Sequence, residues 1–118
     1  MTKQEYIKSL LRCSDNKDRI KTVSDLYGAE ITGVISKIIS FSDNADFIAD
    51  ERRVLSYDEI IKASTTYGVD FKEKGIIPFV DAYDNDLIVY IIAENVWAKY
   101  NISDDIIFKK KDNIEDIL

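Results

Sequence analysis

The sequence predicts an α+β domain with a largely antiparallel sheet. The first half of the chain holds two capping boxes, at residues 2–5 and 56–59, each followed by apolar residues at helical spacing. The second half holds runs of β-branched and aromatic residues that are separated by turn-forming Asp and Asn. We therefore expect a sheet of about four to six strands, with helices packed on one face and a short C-terminal helix.

The first predicted helix begins at the capping box of residues 2–5 and extends to about Cys13. Its apolar side chains are Tyr6, Ile7, Leu10 and Leu11. Residues 14–21 are polar and predict a loop, which a short helical turn follows from Thr22 to Gly28. Thr32 is a suitable cap for the next helix. That helix should lie on the sheet, because its apolar residues form one stripe: Val34, Ile35, Ile38 and Ile39.

The middle of the chain alternates between turn formers and charges. Residues 42–46 are rich in turn formers, and the charged residues 50–53 lie between two short apolar pairs. This pattern predicts a short hairpin or an extended excursion. The second capping box then predicts a helix to about Ser64. Residues 65–74 are expected to form the longest irregular connection.

The segment from Gly75 to Tyr90 couples the one proline of the chain to two apolar runs with an acidic turn between them. Pro78 fixes its own φ and suits the start of an edge or terminal strand. Residues 84–86 favour a tight turn, and residues 87–92 predict a strand covered on both faces. This order of segments predicts a β-hairpin.

The last segments extend the sheet and close the domain. Residues 94–95 can turn the chain into a strand at residues 96–100, and residues 106–108 predict another strand. We interpret the three lysines at residues 109–111 as a solvated strand end. Asp112 is a suitable cap for a short terminal helix. The side chains of this helix that should pack inward are Ile114, Ile117 and Leu118.

The composition indicates a single domain spanning residues 1–118. A chain of 118 residues with 46% hydrophobic content is large enough to bury a core. Cys13 is the one cysteine, so the chain can form neither an internal disulfide nor a cysteine-based metal cage. No signal-peptide pattern occurs near residue 1, and the longest apolar run, residues 87–93, is too short to span a membrane. We expect a cytoplasmic protein.

The formal net charge is −6, which repels phosphate backbones and attracts basic partners. We therefore expect no direct binding to nucleic acid and no membrane association. The alternative is that the acidity serves only solubility.

Few side chains in this chain could perform catalysis. There is no histidine, which removes the usual general base and the commonest metal ligand. Asp81, Asp84 and Asp86 lie within one loop and could offer oxygen ligands to a hard cation, but their spacing is not that of an EF-hand. The alternatives are turn aspartates on a solvated loop or an acidic surface that recognises a partner. We expect no enzyme activity, no cofactor and no metal site.

The aromatic residues divide into two groups. Four fall on predicted strands and are expected in the core: Phe79, Tyr90, Trp97 and Phe108. Tyr83 lies in the acidic loop, where no core face is evident, and is the best candidate for an interface anchor. Cys13 is expected to be a small buried side chain rather than a nucleophile.

Four motifs in this sequence resemble those of the SUKH (SMI/KNR-like) superfamily, and the resemblance covers about residues 24–118. The central motif is a Gly-x-Ile-Pro segment followed by an aspartate-bearing loop and a strand that ends in an aromatic residue. Its residues are Gly75, Ile77, Pro78, Asp81, Asp84, Asn85, Asp86 and Tyr90. Residues 53–60 are similar to the Leu-Ser-x-x-Glu-Ile helix start, and residues 27–31 to a Tyr-Gly-x-x-Leu-Pro motif whose proline is Thr32 here. Residues 97–102 and 114–118 fit the last strands and the terminal helix.

The resemblance implies a binding function. Many bacterial members of this superfamily are similar to immunity proteins, which are cytoplasmic inhibitors of toxins that neighbouring cells deliver, often nucleases. A small, acidic, histidine-free chain fits that role, because its charge would steer it onto a basic toxin domain. The expected partner surface consists of Asp81, Tyr83, Asp84 and Asp86, with Glu94 close by on the next turn. An adaptor or regulator is the alternative. A monomer is expected.

Overall fold

The computed structural model describes residues 2–43, 46–48 and 51–118. Parts of the predicted turn at residues 42–46 and of the charged segment at residues 50–53 lie outside these ranges. The described helices are α1 (Lys3–Arg12), α2 (Lys17–Tyr27), α3 (Val34–Phe41), α4 (Tyr57–Tyr67), α5 (Phe71–Lys74) and the 3-10 helix η1 (Ile114–Asp116). The strands are β1 (Asp46–Ile48), β2 (Arg52–Val54), β3 (Ile76–Asp81), β4 (Asp86–Ile91), β5 (Val96–Asn101) and β6 (Ile106–Lys111).

The described strands form one sheet of six strands in the order β1-β2-β3-β4-β5-β6, and every neighbouring pair is antiparallel. α3 contacts α1 and α2, and α2 contacts α4 and α5. Both α4 and α5 also contact β3. The predicted α+β class with an antiparallel sheet is therefore confirmed. The predicted C-terminal helix is a single 3-10 turn, and it buries Ile114 and Ile117.

Both capping boxes form as the sequence predicts. The hydroxyl of Thr2 accepts from the Glu5 amide, and the hydroxyl of Ser56 accepts from the Glu59 amide. In each pair the Glu carboxylate accepts from the backbone N–H of the capping residue. Because a capping box satisfies donors that have no partner within the helix, it sets the first residue of the helix from local sequence alone.

Three predictions about the helices are wrong, two in their bounds and one in the capping residue. α2 begins at Lys17 rather than Thr22, because the side chain of Asn16 caps it by accepting from the Arg19 amide. Gly33, not Thr32, precedes α3, with no side-chain cap. The irregular connection predicted at residues 65–74 is instead the end of α4, a left-handed Gly68 and the short helix α5.

Pro78 lies on an interior strand rather than an edge strand. The ladder with β2 pairs Val80 and Asp81 of β3 and does not extend to Pro78. The ladder with β4 also shifts register between Pro78 and Val80. Pro78 thus lies beside a β-bulge, which is one of the places where a sheet tolerates proline.

The core lies between the helices and the interior strands. Its largest fully buried side chains are Val23, Ile38, Ile39, Leu55, Ile60, Phe71, Ile76, Ile77, Phe79, Leu87, Ile88 and Tyr100. Edge-to-face contacts link Tyr67 to Phe71 and Phe71 to Tyr100, with ring centroids 6.3 and 6.2 Å apart. Phe79 and Trp97 are buried as predicted, whereas Tyr90 is half-buried. Cys13 is half-buried rather than buried as expected.

Phe108 contradicts the prediction that it belongs to the core. It is 38% exposed, because β6 lies at the end of the sheet and is exposed at every position. The strand is also longer than predicted and includes the three lysines, Lys109, Lys110 and Lys111.

Candidate functional site

The loop between β3 and β4 has an unusual backbone. Tyr83, Asp84 and Asn85 have φ angles of 73°, 54° and 65°, so three successive residues with side chains occupy the left-handed region. This region costs an L-residue about 1–2 kcal/mol, and less for Asp and Asn. Other interactions must therefore compensate for the strain at this loop.

A set of hydrogen bonds fixes this conformation. Within the loop, the Ala82 amide donates to Asp86 O at 2.9 Å and the Asp86 amide donates to Tyr83 O at 3.1 Å. Two further bonds join the loop to the turn between β5 and β6. The Ile102 amide donates to Asn85 O at 2.9 Å, and Asn85 Nδ2 donates to Ser103 Oγ at 2.9 Å. The loop is thus held by a neighbouring turn as well as by its own bonds.

Asp81 has a structural partner on β2. Its Oδ2 lies 3.7 Å from Arg53 Nη2, and its Oδ1 accepts from the Tyr83 amide at 3.0 Å. Arg53 also donates to Glu59 Oε1 at 2.8 Å. That hydrogen bond raises the pKa of Arg53 and lowers the pKa of Glu59 below its ordinary value. Asp81 therefore contributes to an ion-pair network that connects β2, β3 and α4.

The three aspartates of the loop do not converge. Asp81 pairs with Leu87 in the ladder, so Asp86, which precedes Leu87, points to the other face of the sheet. Asp86 accepts a hydrogen bond from Asn101 Nδ2 at 2.8 Å, whereas Asp84 is exposed. Among the described residues, no group of three or more Asp, Glu, His or Cys is arranged to hold a metal ion.

Glu94 does not join this loop. It lies in the turn between β4 and β5, at the far end of β4 from Asp86. Its carboxylate accepts from Lys110 Nζ at 2.9 and 3.2 Å. The prediction that Glu94 lies near the acidic loop is wrong, because the six residues of β4 separate the two turns along the strand.

Tyr83 projects from the loop and is 64% exposed. It borders a shallow cavity of about 210 Å³ that Glu51, Arg53 and Asp81 also line. Glu51 comes from the turn between β1 and β2, where it too has a positive φ, of 61°. The lining of this cavity thus holds two carboxylates, a tyrosine at one side and an arginine that is paired with Asp81. We call Glu51, Arg53, Asp81, Tyr83 and Asp84 the acidic cavity site.

Sequence reasoning missed Arg53 and Glu51 as members of this site. The charged segment at residues 50–53 was recognisable, but its position depends on the register Arg53↔Asp81 between β2 and β3. Those two strands are far apart in the chain, so no local pattern specifies the pairing.

No family model matches this chain, and the comparisons with curated proteins and with solved structures found no match. In the part of the chain that the structure describes, no helix combines the length and apolar content that crossing a membrane requires.

Proposed function

We propose that the protein is a non-catalytic protein-binding domain that acts as a cytoplasmic immunity protein and neutralises a basic toxin domain. The observation that carries the proposal is the exposure of Tyr83, which lies at the rim of the cavity on a loop that hydrogen bonds hold in place. A rigid tyrosine offers a large contact surface at low entropic cost. The resemblance to the SUKH superfamily supplies the class of partner.

The charge of the site supports the choice of a basic partner. Glu51 and Asp84 are exposed and have no ion pair among the described residues, whereas Asp81 forms an ion pair with Arg53. Exposed carboxylates of this kind increase the association rate with a positively charged surface. The net charge of −6 acts in the same direction.

A carboxylate-dependent metal enzyme is less well supported, because Asp81 and Asp86 point to opposite faces of the sheet. A general adaptor or regulator remains the alternative function. It would use the same surface, but it would not depend on a toxin.

The test uses the product of the neighbouring gene as the partner. Tyr83→Ala should accelerate dissociation by about 30-fold or more, as expected for a hot-spot anchor. The double variant Glu51→Gln with Asp84→Asn should mainly slow association, and the wild-type rate should fall with salt over a Debye length of about 8 Å. Surface plasmon resonance measures both rates, and thermal unfolding checks that each variant is folded.

Asp25→Asn with Glu30→Gln is the matched control, since both carboxylates are exposed and lie outside the site. This pair removes the same charge and should leave association close to wild type. Equal effects of the two double variants would show that only net charge matters. Unchanged binding of Tyr83→Ala would refute the site. No binding of the neighbouring gene product would favour the adaptor.

A further inference from the structure

The outer edge of β6 is open. β6 is the last strand of the sheet, and among the described residues it pairs only with β5. All six of its residues are exposed. An exposed strand edge presents unpaired backbone N–H and C=O groups, which can pair with another strand.

The two halves of β6 differ in chemistry. The first half is apolar, with Ile106 52% exposed, Ile107 37% and Phe108 38%. The second half is Lys109, Lys110 and Lys111. Lys110 is paired with Glu94, but Lys109 and Lys111 have no ion pair among the described residues. The edge therefore displays an apolar segment followed by a segment with two free cations.

The neighbouring strand adds a positive charge on one face. Lys99 of β5 pairs with Phe108 in the ladder, so the two side chains share a face. Burial, and then the nearby charges of Arg52 and Lys109, lower the pKa of Lys99. Asp86 acts on this pKa in the opposite direction, so the charges that a carboxylate from outside could pair with are chiefly those of Lys109 and Lys111.

We propose that β6 accepts an extended acidic segment of a partner protein as an additional antiparallel strand. Carboxylates of that segment would face Lys109, Lys111 and Lys99, and its apolar side chains would lie on Ile106 and Phe108. Backbone hydrogen bonds supply affinity in such strand addition, and the side-chain pattern supplies specificity. The lysine end of this surface is separate from the acidic cavity site, because Lys111 pairs with Trp97, at the other end of β5 from Asn101 and Asp86.

A second copy of the chain fits this edge less well. Antiparallel pairing of two β6 strands would bring two sets of three lysines together along one ladder. Lys109 also has a φ of 55° at a register shift, and such a bulge interrupts the edge. Lysines and bulges on an edge strand discourage pairing with an identical edge. The lysines do not oppose a strand that carries carboxylates and therefore favour an acidic partner, whereas the bulge at Lys109 requires any added strand to follow the same bend.

Nucleic acid also fits poorly. Two free lysines and one half-buried lysine neutralise few phosphates, and the net charge of −6 repels a phosphate backbone. A short acidic peptide needs only a local positive field.

Selection from a library of random octapeptides displayed on phage tests the proposal. The folded wild-type chain is the target, and the enriched peptides are then synthesised. We expect them to carry acidic residues next to apolar ones. Their affinity should fall by about 10-fold or more for Lys109→Glu with Lys111→Glu. Hydrogen exchange should show protection of β6 amides when peptide is bound.

Lys8→Glu with Lys62→Glu is the matched control, because both lysines are exposed on helices and the change in net charge is the same. Affinity for this control should stay near wild type. Thermal unfolding verifies that both double variants fold.

Four results would overturn the proposal. The first is the failure of any peptide to enrich. The second is a set of binders without acidic residues, and the third is equal affinity for the two double variants. The fourth is a concentration-dependent dimer in sedimentation that the β6 variant disrupts, since that would assign the edge to a second copy. Peptides that instead protect the loop between β3 and β4 would place their binding at the acidic cavity site and would count against the edge.

Discussion

β3 and β6 are strands of equal length in one sheet, and each begins with two isoleucines and includes a phenylalanine. β3 is buried at five of its six positions, whereas β6 is exposed at all six. The difference comes from position in the sheet, because β3 has a strand on each side and contacts α4 and α5. Apolar composition alone therefore does not determine which strand contributes to the core.

The largest expected effect compares the two phenylalanines of these strands. Phe79 is fully buried, with its ring centroid 5.5 Å from that of Trp97, whereas Phe108 is 38% exposed. Phe79→Ala should lower the free energy of unfolding by about 3–5 kcal/mol, through lost burial and a cavity. Phe108→Ala should lower it by about 1 kcal/mol or less. Urea denaturation measures both values, and equal losses would contradict the assignment of β6 as an open edge.

A smaller loss of stability is expected from breaking the contacts that hold the turn before β6 against the core. The hydroxyl of Tyr100 donates to Asp105 Oδ1 at 2.6 Å, and Lys74 Nζ lies 2.7 Å from the same oxygen. Asp105 is in the turn that leads into β6. Tyr100→Phe should therefore cost about 1–2 kcal/mol, mostly from the lost hydrogen bond.

The pH dependence of these contacts has a definite sign. Burial first, and then Asp105, raise the pKa of Tyr100 from 10.0 to about 12. Because the folded value is the higher one, this contribution to stability is complete below pH 10 and is lost as the pH rises toward 12. Tyr100→Phe should be less sensitive to alkali over this window than wild type. Unfolding monitored by circular dichroism measures the stability of both proteins. An identical loss in the two would refute the link between Tyr100 and this pH dependence.

The smallest expected effect is a gain in stability on β6 itself. Lys109 has a φ of 55°, a conformation that glycine adopts without steric cost. Lys109→Gly should raise the free energy of unfolding by up to about 1 kcal/mol. Lys110→Gly is the control and should be destabilising, since it removes the pair with Glu94. If both substitutions are destabilising, strain at Lys109 is not significant.

The sequence predicts best what local interactions determine. The capping boxes of α1 and α4 lie within four residues of chain, so their helix starts are correct. The end of α2 at Gly28 is also local, because glycine adopts its φ of 65° freely. The start of α2 was missed, since the weak capping signal of Asn16 lay within a polar segment that equally suits a loop.

Features that depend on distant parts of the chain were not predictable. The exposure of Phe108 follows because β6 has a neighbour on one side only among the described strands, which no pattern within residues 106–108 encodes. The separation of Glu94 from the acidic loop, by contrast, follows from the strand predicted at residues 87–92 and could have been foreseen. The contact of Arg53 with Asp81 required the register between β2 and β3. The left-handed conformation of Tyr83 is equally hidden, because tyrosine rarely adopts it.

The strand order has a consequence for the way this protein folds. Among the described strands, the ladders from β3 to β6 join strands that a short turn connects, whereas β2 and β3 are separated by α4 and α5. Local hairpins close quickly, and pairings between distant segments form late because loop closure costs entropy before contacts compensate for it. We therefore expect the meander from β3 to β6 to form first and the hairpin of β1 and β2 to dock afterwards. Glu51 and Arg53 belong to this hairpin segment and take their places in the cavity lining when it docks. The acidic cavity is therefore completed only at the end of folding.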